Sequence, residues 1–228
     1  MKIVISVGGS LLTKELTANN FKKYADVLLK LRDKGHDLII ICGGGKICRD
    51  YRDIGKGFTK DVDLLDFIGI MATHLNASTL VTALGDDGYL IKWKSLEQAK
   101  KEVKEHFGKK ILVGGGYDVG SSSDFDATTF AKVVEADLLI NATNIDGVYT
   151  ADPKKYPNAK KLPKLNHEQF EKIILQNPQT PGEYRLFDLP AAKLIKKMKL
   201  KTIFIDGNDP EEIIRAVESD HNGTIIEF

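Results

Sequence analysis

The residue types that announce specialised classes of protein are scarce in this chain. Its 228 residues include two cysteines, one tryptophan and five histidines. Cys42 and Cys48 have no companion, so they supply neither a zinc set nor a disulfide framework. They read as a buried apolar thiol and a helix-face thiol in a reducing compartment. The histidines (His36, His74, His106, His167 and His221) are scattered, and no metal site is expected from them. Charge has no surplus of either sign: 33 Lys and Arg against 32 Asp and Glu, a formal net charge of +1. Nucleic-acid binders usually concentrate excess Lys and Arg, so no nucleic-acid partner is expected. The most apolar run, Leu38 to Cys42, is strand-sized, far below the ~20 residues that span a bilayer. Met1 to Ile5 runs straight into a glycine turn, too short for a signal peptide. These absences predict a cytoplasmic protein without membrane contact. There are also no internal repeats and no low-complexity segments.

The chain is 42% hydrophobic and 29% charged, enough for a large core and a soluble surface. Strands are predicted at Ile3–Val7, Leu38–Cys42, Tyr89–Ile91, Ile111–Val113, Leu138–Asn141, Thr202–Ile205 and Thr224–Ile226. Several are continuous apolar runs, as parallel strands buried on both faces require. Amphipathic helices fill the gaps. One carries Phe21, Tyr24, Ala25, Leu28, Leu29 and Leu31 on a single face and stops at Gly35. A long, largely apolar helix is predicted from about Asp63 to Leu84. Ser95 with Gln98 and Asn166 with Gln169 read as capping boxes, and Asp209-Pro210 as an N-cap followed by proline at the first helical position. The alternation predicts a three-layer α/β/α sandwich around a mainly parallel sheet, with right-handed crossovers. Tyr149–Pro163 and Asn177–Leu186 read as long functional loops. The expected organisation is a single domain over 1–228, in which a boundary near 142 would separate two lobes.

Three predicted strands run into glycine turns. Ile3–Val7 leads to Gly8-Gly9-Ser10, Leu38–Cys42 to Gly43-Gly44-Gly45-Lys46, and Ile111–Val113 to Gly114-Gly115-Gly116 and on to Gly120-Ser121-Ser122-Ser123. In a parallel sheet these turns share one edge, where ligands bind. Glycine allows close backbone approach, and a helix N-terminus presents free N–H groups to anionic oxygens. One such turn is common; three together suit two phosphorylated ligands meeting head to head. A competing reading is a dinucleotide fingerprint at Gly43-x-Gly45-x-x-Cys48, with Asp63 or Asp66 as the acidic partner, which accounts for only one of the turns. A P-loop of the form Gly-x-x-x-x-Gly-Lys-Ser/Thr is absent, as are His-Glu-x-x-His and Gly-x-Ser-x-Gly.

After Leu138–Ile140 comes Asn141-Ala142-Thr143-Asn144-Ile145-Asp146-Gly147-Val148-Tyr149-Thr150-Ala151-Asp152-Pro153. Taken alone it is an Asx-rich turn with one conformationally special glycine. It also resembles the Thr-Asn-x-Asp-Gly-Val-Tyr-x-x-Asp-Pro segment of the amino-acid-kinase family. With Gly8-Gly9-Ser10 and Gly43–Lys46, the resemblance extends along nearly the whole chain and is nearest to the archaeal-type uridylate kinases. It takes in Asp66-Phe67-Ile68-Gly69-Ile70, Leu75-Asn76-Ala77, Asp188 through Lys193, and Asp220-His221-Asn222-Gly223-Thr224.

The resemblance implies phosphorylation of UMP by ATP, a step of pyrimidine nucleotide synthesis, in a homo-oligomer, a hexamer built from dimers. It implies that Gly9, Ser10, Gly45 and Arg49 contact ATP phosphates, and that Thr143, Asn144, Tyr149 and Asp152 hold the adenosine end. UMP would be held by Gly44, Asp66 and the loop Tyr117, Asp118, Val119, Gly120, Ser121, Ser122 and Ser123. The acceptor part would be roughly 1–140 and the ATP part roughly 141–228. Mg²⁺ would ride on the nucleotide, since no carboxylate cage is visible. Two departures stand out. Many family members carry a lysine in the first strand where this chain has Ser6, and the acceptor loop usually has Pro-Gly where this chain has Val119-Gly120. Lys46 and Lys193 are the candidate replacements for the missing lysine, and Arg49 with Lys46 is the expected catalytic pair. Same-fold kinases for another small phosphate, carboxylate or carbamate, and a non-catalytic nucleotide-binding protein, are the alternatives.

Overall fold

Strand–helix alternation folds into three layers in a computed structural model that describes residues 1–176 and 186–228. In chain order the elements are β1 (Lys2–Val7), α1 (Gly9–Leu12), α2 (Ala18–Asp33), β2 (Asp37–Cys42), α3 (Gly45–Lys56), α4 (Val62–Leu84), β3 (Gly88–Leu90), α5 (Leu96–His106), β4 (Ile111–Gly114) and α6 (Ser123–Val134). There follow β5 (Leu138–Thr143), β6 (Val148–Tyr149), β7 (Lys161–Leu162), β8 (Lys164–Leu165), α7 (His167–Gln176), α8 (Leu189–Met198), β9 (Thr202–Asp206), α9 (Glu211–Glu218) and β10 (Thr224–Ile226). The main sheet has the order β3-β4-β2-β1-β5-β9-β10-β8. Its neighbours pair parallel, except β9 with β10.

Strand alternation sends side chains into two cores. From β1, Ile3, Ile5 and Val7 face a layer formed by α2, α4 and α9, where Phe21, Leu28, Leu80 and Ile213 pack. Val4, with Ile39, Ile41 and Leu139 of the neighbouring strands, faces α5, α6, α7 and α8. In that second core Phe170, Phe187 and Phe204 form a ring cluster with centroids 5.2 to 5.8 Å apart. Both faces of the central strands are buried, which is why their sequences are continuous apolar runs.

All the strands read from the sequence are present. Those it missed, β6, β7 and β8, are two residues each, too short for a period to register. They lie in and beside the stretch read as the loop Tyr149–Pro163, where β6 and β7 form an antiparallel hairpin and β8 extends the sheet beside β10. The second predicted loop lies outside the described residues except for Leu186. At α7 the capping box is complete: Asn166 N–H donates to Gln169 Oε1 and Gln169 N–H to Asn166 Oδ1, both at 2.9 Å. At α5 one half of the box is present, Gln98 N–H to Ser95 Oγ at 3.4 Å. Pro210 is the boundary residue of α9 rather than its first helical position, and Asp209 accepts from Glu211 N–H at 3.1 Å.

Helix α4 is long and apolar enough to span a bilayer, yet half of its most apolar stretch is buried inside the protein. It is capped by Asp61, which accepts from the Asp63 and Leu64 N–H groups. Its buried side covers β2, β3 and β4 and reaches the sheet edge where the glycine turns emerge. There β1 lies between β2 and β5, with Val7 opposite both Cys42 and Ala142. Gly8 N–H donates to the Ala142 carbonyl at 2.8 Å and Gly43 N–H to the Val7 carbonyl at 2.9 Å. The chain therefore leaves adjacent strands at one edge, and the connections run to opposite sides of β1, the arrangement that opens a ligand crevice in α/β sheets.

Candidate active site

Two of the glycine turns interlock backbone to backbone. A Cβ placed on Gly9 would lie 2.1 Å from Gly45 N and 2.3 Å from Gly43 O; one on Gly43 would lie 2.6 Å from Gly9 N. Gly45 has φ +64, the left-handed region, and its Cβ would meet Gly9 O at 2.3 Å. The special backbone position is thus Gly45. Gly44 lies in the right-handed helical region, and a Cβ there would strike Cys48 Cβ at 2.4 Å. Asn76 of α4, buried, donates to the Gly43 carbonyl at 2.7 Å and fixes the turn from below. Thr13 Oγ1 accepts from Lys46 N–H at 3.2 Å, tying α1 to the start of α3. The outcome is a rigid double turn at the N-terminus of α3, suited to anionic oxygens. Ser10, half-buried on α1, borders it.

The third turn has another function. A Cβ on Gly115 would collide with Thr73 Oγ1 at 2.3 Å, and one on Gly114 with the Tyr117 hydroxyl at 2.5 Å. Its glycines permit close packing on α4. Thr73 Oγ1 accepts from Gly116 N–H at 2.8 Å, and His74 Nε2 donates to the Gly116 carbonyl at 2.9 Å. Burial lowers the His74 pKa, so the ring is held neutral for that role. Tyr117 is in the core: its ring packs edge-on to His74 and Phe130, and its hydroxyl donates to the Ile91 carbonyl at 3.0 Å. Tyr117 therefore presents its backbone, and not its ring, at the start of this loop.

Asp118 to Ser121 form a turn closed by Ser121 N–H donating to the Asp118 carbonyl at 3.1 Å. Gly120, at the third position, has φ +78, as a type II turn requires. Val119 occupies the second position, where proline is favoured but not needed. Asp118 and Val119 are exposed. Ser122 caps α6, accepting from Phe125 N–H at 3.1 Å, and its hydroxyl donates to Asp188, itself the cap of α8. Ser123 is the first residue of α6. A cavity of about 310 Å³ lies along this loop, lined by Asp118 to Ser122, Phe125, Asp188 and Pro190.

Charged groups on α3 and α4 face the turns unequally. Asp66 Oδ1 accepts from Arg52 at 2.8 Å and Oδ2 from Gly120 N–H at 3.1 Å, so this one carboxylate joins α3, α4 and the 117–123 loop. Each oxygen retains acceptor capacity for a ribose hydroxyl. Arg52, which the sequence reading passed over, has a buried Nε without a partner. Arg49 is exposed and makes no hydrogen bond or ion pair among the described residues. Lys46 is paired with Asp50 one turn on, an exposed contact worth about 0–1 kcal/mol that does not immobilise it. Lys193 is elsewhere: it lines a groove of about 780 Å³ between α5, α6 and α8, with Lys100, Lys104, Lys132 and Lys197. No glycine-turn residue lines that groove, so Lys193 is not placed as a substitute for the strand lysine.

The Ser6 position acquires a different partner. Its hydroxyl donates to Asp124 Oδ1 at 2.9 Å, and Asn141 Nδ2 donates to the same oxygen at 2.9 Å. Asp124, in the first turn of α6, thereby links the ends of β1 and β5. Nothing in the local sequence marks it, because both partners are more than a dozen residues away.

At the end of β5 Thr143 is half-buried beside Gly8 of β1's glycine turn, and Asn144, which follows it, is exposed. Tyr149 donates its hydroxyl to Asp146 at 2.8 Å, and Lys161 pairs with Asp146 at 2.9 Å. Burial raises the Asp146 pKa, but these two donors outweigh it and leave it below the usual carboxylate range. Asp152, buried, accepts from Lys154 N–H at 2.9 Å and holds the turn that follows. Thr224 links this loop to the C-terminal strand: its hydroxyl accepts from Val148 N–H at 2.8 Å and donates to the Leu162 carbonyl at 2.6 Å. That bridge accounts physically for the joint presence of the Asp146-Gly147-Val148 and Gly223-Thr224 patterns.

The dinucleotide alternative does not survive this geometry. Its acidic partner should end a second strand, whereas α3 is followed by α4, and Asp66 is on a helix paired with Arg52. Among the described residues there is also no group of three or more His, Cys, Asp or Glu able to hold a metal ion.

A mostly parallel sandwich with interlocked glycine turns at the switch point, and a second loop at the same edge, defines the class of α/β protein whose ligand crevice lies at that edge. The chain belongs to the amino acid kinase family, whose model matches residues 1–206. It is 39% identical over 100% of both chains to the uridylate kinase of Methanocaldococcus jannaschii, and 36% identical over 99% of both to that of Methanothermobacter thermautotrophicus. Among solved structures it is similar to uridylate kinase from Archaeoglobus fulgidus, with a TM-score of 0.86 and 34% identity over 99% of this chain and 100% of that one. The UMP kinase structure from Bacillus anthracis, at 21% identity and a TM-score of 0.78, shares the fold.

Proposed function

We propose that this chain transfers the γ-phosphoryl group of ATP to UMP, giving UDP and ADP. The observation that carries the reading is the interlocked Gly9/Gly45 double turn facing a loop anchored to Asp66. The full-length similarity to uridylate kinases supports the choice of acceptor.

Transfer requires an oxygen of the UMP phosphate to bond to the γ-phosphorus while the bond to the ADP oxygen breaks. That nucleophile is already anionic, so no general base is assigned. The protein's contribution is alignment and compensation of charge on the transferring group. Backbone N–H groups of Gly9 and Gly45, the Ser10 hydroxyl and the Arg49 guanidinium would hold ATP phosphates. Mg²⁺ would ride on the nucleotide and neutralise part of their charge. Thr143, Asn144, Tyr149 and Asp152 would hold the adenosine end. Gly44 N–H, Asp66, and the backbone and hydroxyls of 117–123 would hold UMP, with Lys46 free to swing from Asp50 toward the reacting phosphates. The acceptor part, 1–140, and the ATP part, 141–228, belong to one domain on this reading, supported by the direct pairing of β1 with β5. A cytoplasmic location fits the substrates.

A panel of nucleotides tests the binding half of the proposal. Mg²⁺–ATP and UMP, each at about 100 times its dissociation constant, are expected to stabilise the protein by about 2.7 kcal/mol in thermal unfolding, and NADH not at all. A shift with NADH and none with UMP would overturn it.

Assembly into a homo-oligomer, a hexamer built from dimers, is part of the same proposal. It is supported by α3, which buries none of its residues, and by the exposed Tyr51, Ile54, Phe58 (87% exposed), Val62 and Leu64 along α3 and the start of α4. Such a patch on a soluble chain marks a contact surface. Sedimentation at micromolar concentration is expected to give a multimeric mass; a monomer would contradict the assembly.

A further inference from the structure

Asp126 places a carboxyl group where a charge is badly accommodated. It lies on α6 with no exposed surface. Oδ2 accepts from Tyr117 N–H at 3.2 Å, whereas Oδ1 is buried without a hydrogen-bond partner. The groups around it divide evenly over a negative charge. Asp118 in the loop and Asp188 before α8 oppose ionisation; Tyr117 N–H and the Ser121 hydroxyl favour it. Toward α4 the next titratable group is His74, behind the Tyr117 ring and kept neutral by burial. Asp124, two residues earlier on α6, already accepts from Ser6 and Asn141. No cation pairs with Asp126 among the described residues. Burial, as the largest influence, pushes its pKa from 3.8 up to about 7.

The carboxyl also holds a decisive point of the chain. The segment from Gly116 to Ser122 is fixed at its far end by Asp66 and Asp188, through Gly120 N–H and the Ser122 hydroxyl. At its near end Asp126 fixes the Tyr117 N–H, the residue at which the chain turns out of the core. An ionised Oδ1 has no protein donor in this packing, so hydrating it costs the packing around Tyr117.

We propose that Asp126 is a positioning residue for the acceptor loop, whose neutral carboxyl pins Tyr117 and whose ionisation loosens the 117–123 segment. The inference rests on the reading that this segment holds UMP. It makes acceptor binding, and not ATP binding, weaken as pH rises through neutrality.

Asp126→Asn keeps the shape and an acceptor for Tyr117 N–H but cannot ionise. Michaelis constants for UMP and ATP are to be measured for both proteins between pH 5.5 and 8.5. The second ionisation of the UMP phosphate, near pH 6, is common to both and cancels in their ratio. The wild-type constant for UMP is expected to rise about 5-fold relative to the variant between pH 6 and 8.5, with the ATP constants in step throughout. Parallel profiles for UMP, or equal changes for both substrates, would overturn the proposal.

Thermal unfolding and amide exchange decide it without turnover. A carboxyl whose folded pKa exceeds its unfolded value holds its proton in the folded state while the unfolded chain ionises. Stability is therefore lost as pH rises from about 4 to about 7. Asp126→Asn is expected to melt about 5 °C above wild type at pH 8 and level with it near pH 4. The Tyr117 to Ser121 amides are expected to exchange faster in wild type than in the variant at pH 8. No melting gap and equal exchange would overturn the role of Asp126. If UMP is not used at any pH while the gap and the exchange difference are present, the acceptor assignment fails and the pin stands.

Discussion

Alanine at Gly45 is expected to lower kcat/KM by about 10²- to 10³-fold. The backbone there has φ +64, and a Cβ would lie 2.3 Å from Gly9 O and 2.4 Å from Thr13 Oγ1. Backbone oxygen cannot rotate away as a side chain can, so one of the two turns must shift. A displacement of about 1 Å at a positioning site costs on the order of 10²-fold in rate, and the left-handed conformation adds about 1–2 kcal/mol of strain for a residue with a Cβ. The strands below do not depend on this contact, so the variant should still unfold cooperatively, by circular dichroism. Gly35→Ala is the control. Its φ is +85, so the backbone strain is similar, but no atom lies within 4 Å of its Cβ and it ends α2 before β2 begins. It should lose about 1 kcal/mol of stability and no activity. Near-normal turnover by a folded Gly45→Ala protein would remove the double turn from the phosphate site.

Arg49→Ala should reduce kcat by at least about 10²-fold with stability within about 0.5 kcal/mol of wild type. The side chain makes no hydrogen bond or ion pair among the described residues, so its removal breaks nothing in the fold. It stands on α3 one turn beyond Gly45, where a guanidinium fork reaches oxygens held at the helix N-terminus. Arg49→Lys should recover only part of the loss, since an ammonium offers a point charge in place of a planar pair of donors. Arg52→Ala separates the neighbouring cation. Arg52 is paired with Asp66, so its loss should act on the UMP constant and on stability rather than on kcat. Equal behaviour of Arg49→Ala and Arg52→Ala would contradict these assignments.

What could be read from the sequence divides by the range of the interactions involved. The strands and helices of the core were legible because alternation, apolar runs and caps are local. The glycine turns were legible as turns. Their different purposes were not, because Gly9 against Gly45 and Gly115 against Thr73 are contacts between distant segments. Tyr117 looked like a binding residue because it stands in a glycine-rich loop, yet its neighbours His74 and Phe130 draw the ring into the core. Asp124 and Arg52 went unread for the same reason: each has its meaning in a partner from another element, Ser6 and Asn141 for the one, Asp66 for the other. Lys193 shared a motif with Asp188 but occupies the outer side of α8, and a linear pattern does not say which side of a helix faces the site. The missing first-strand lysine was visible at once as Ser6, whereas its replacement by a hydroxyl bonded to Asp124 was not.

On the proposed reading, the double turn and the Asp66-anchored loop together hold ATP and UMP for direct transfer. A coupled assay of ADP formation by the purified protein, with Mg²⁺–ATP and each of UMP, CMP, AMP and a set of small carboxylates in turn, tests it most directly. UMP should be the acceptor with the highest kcat/KM, and Asp66→Ala should weaken its use while leaving the ATP constant nearly unchanged. Higher efficiency with another acceptor, or no ADP formed with any of them, would rule out UMP as the acceptor held at this edge.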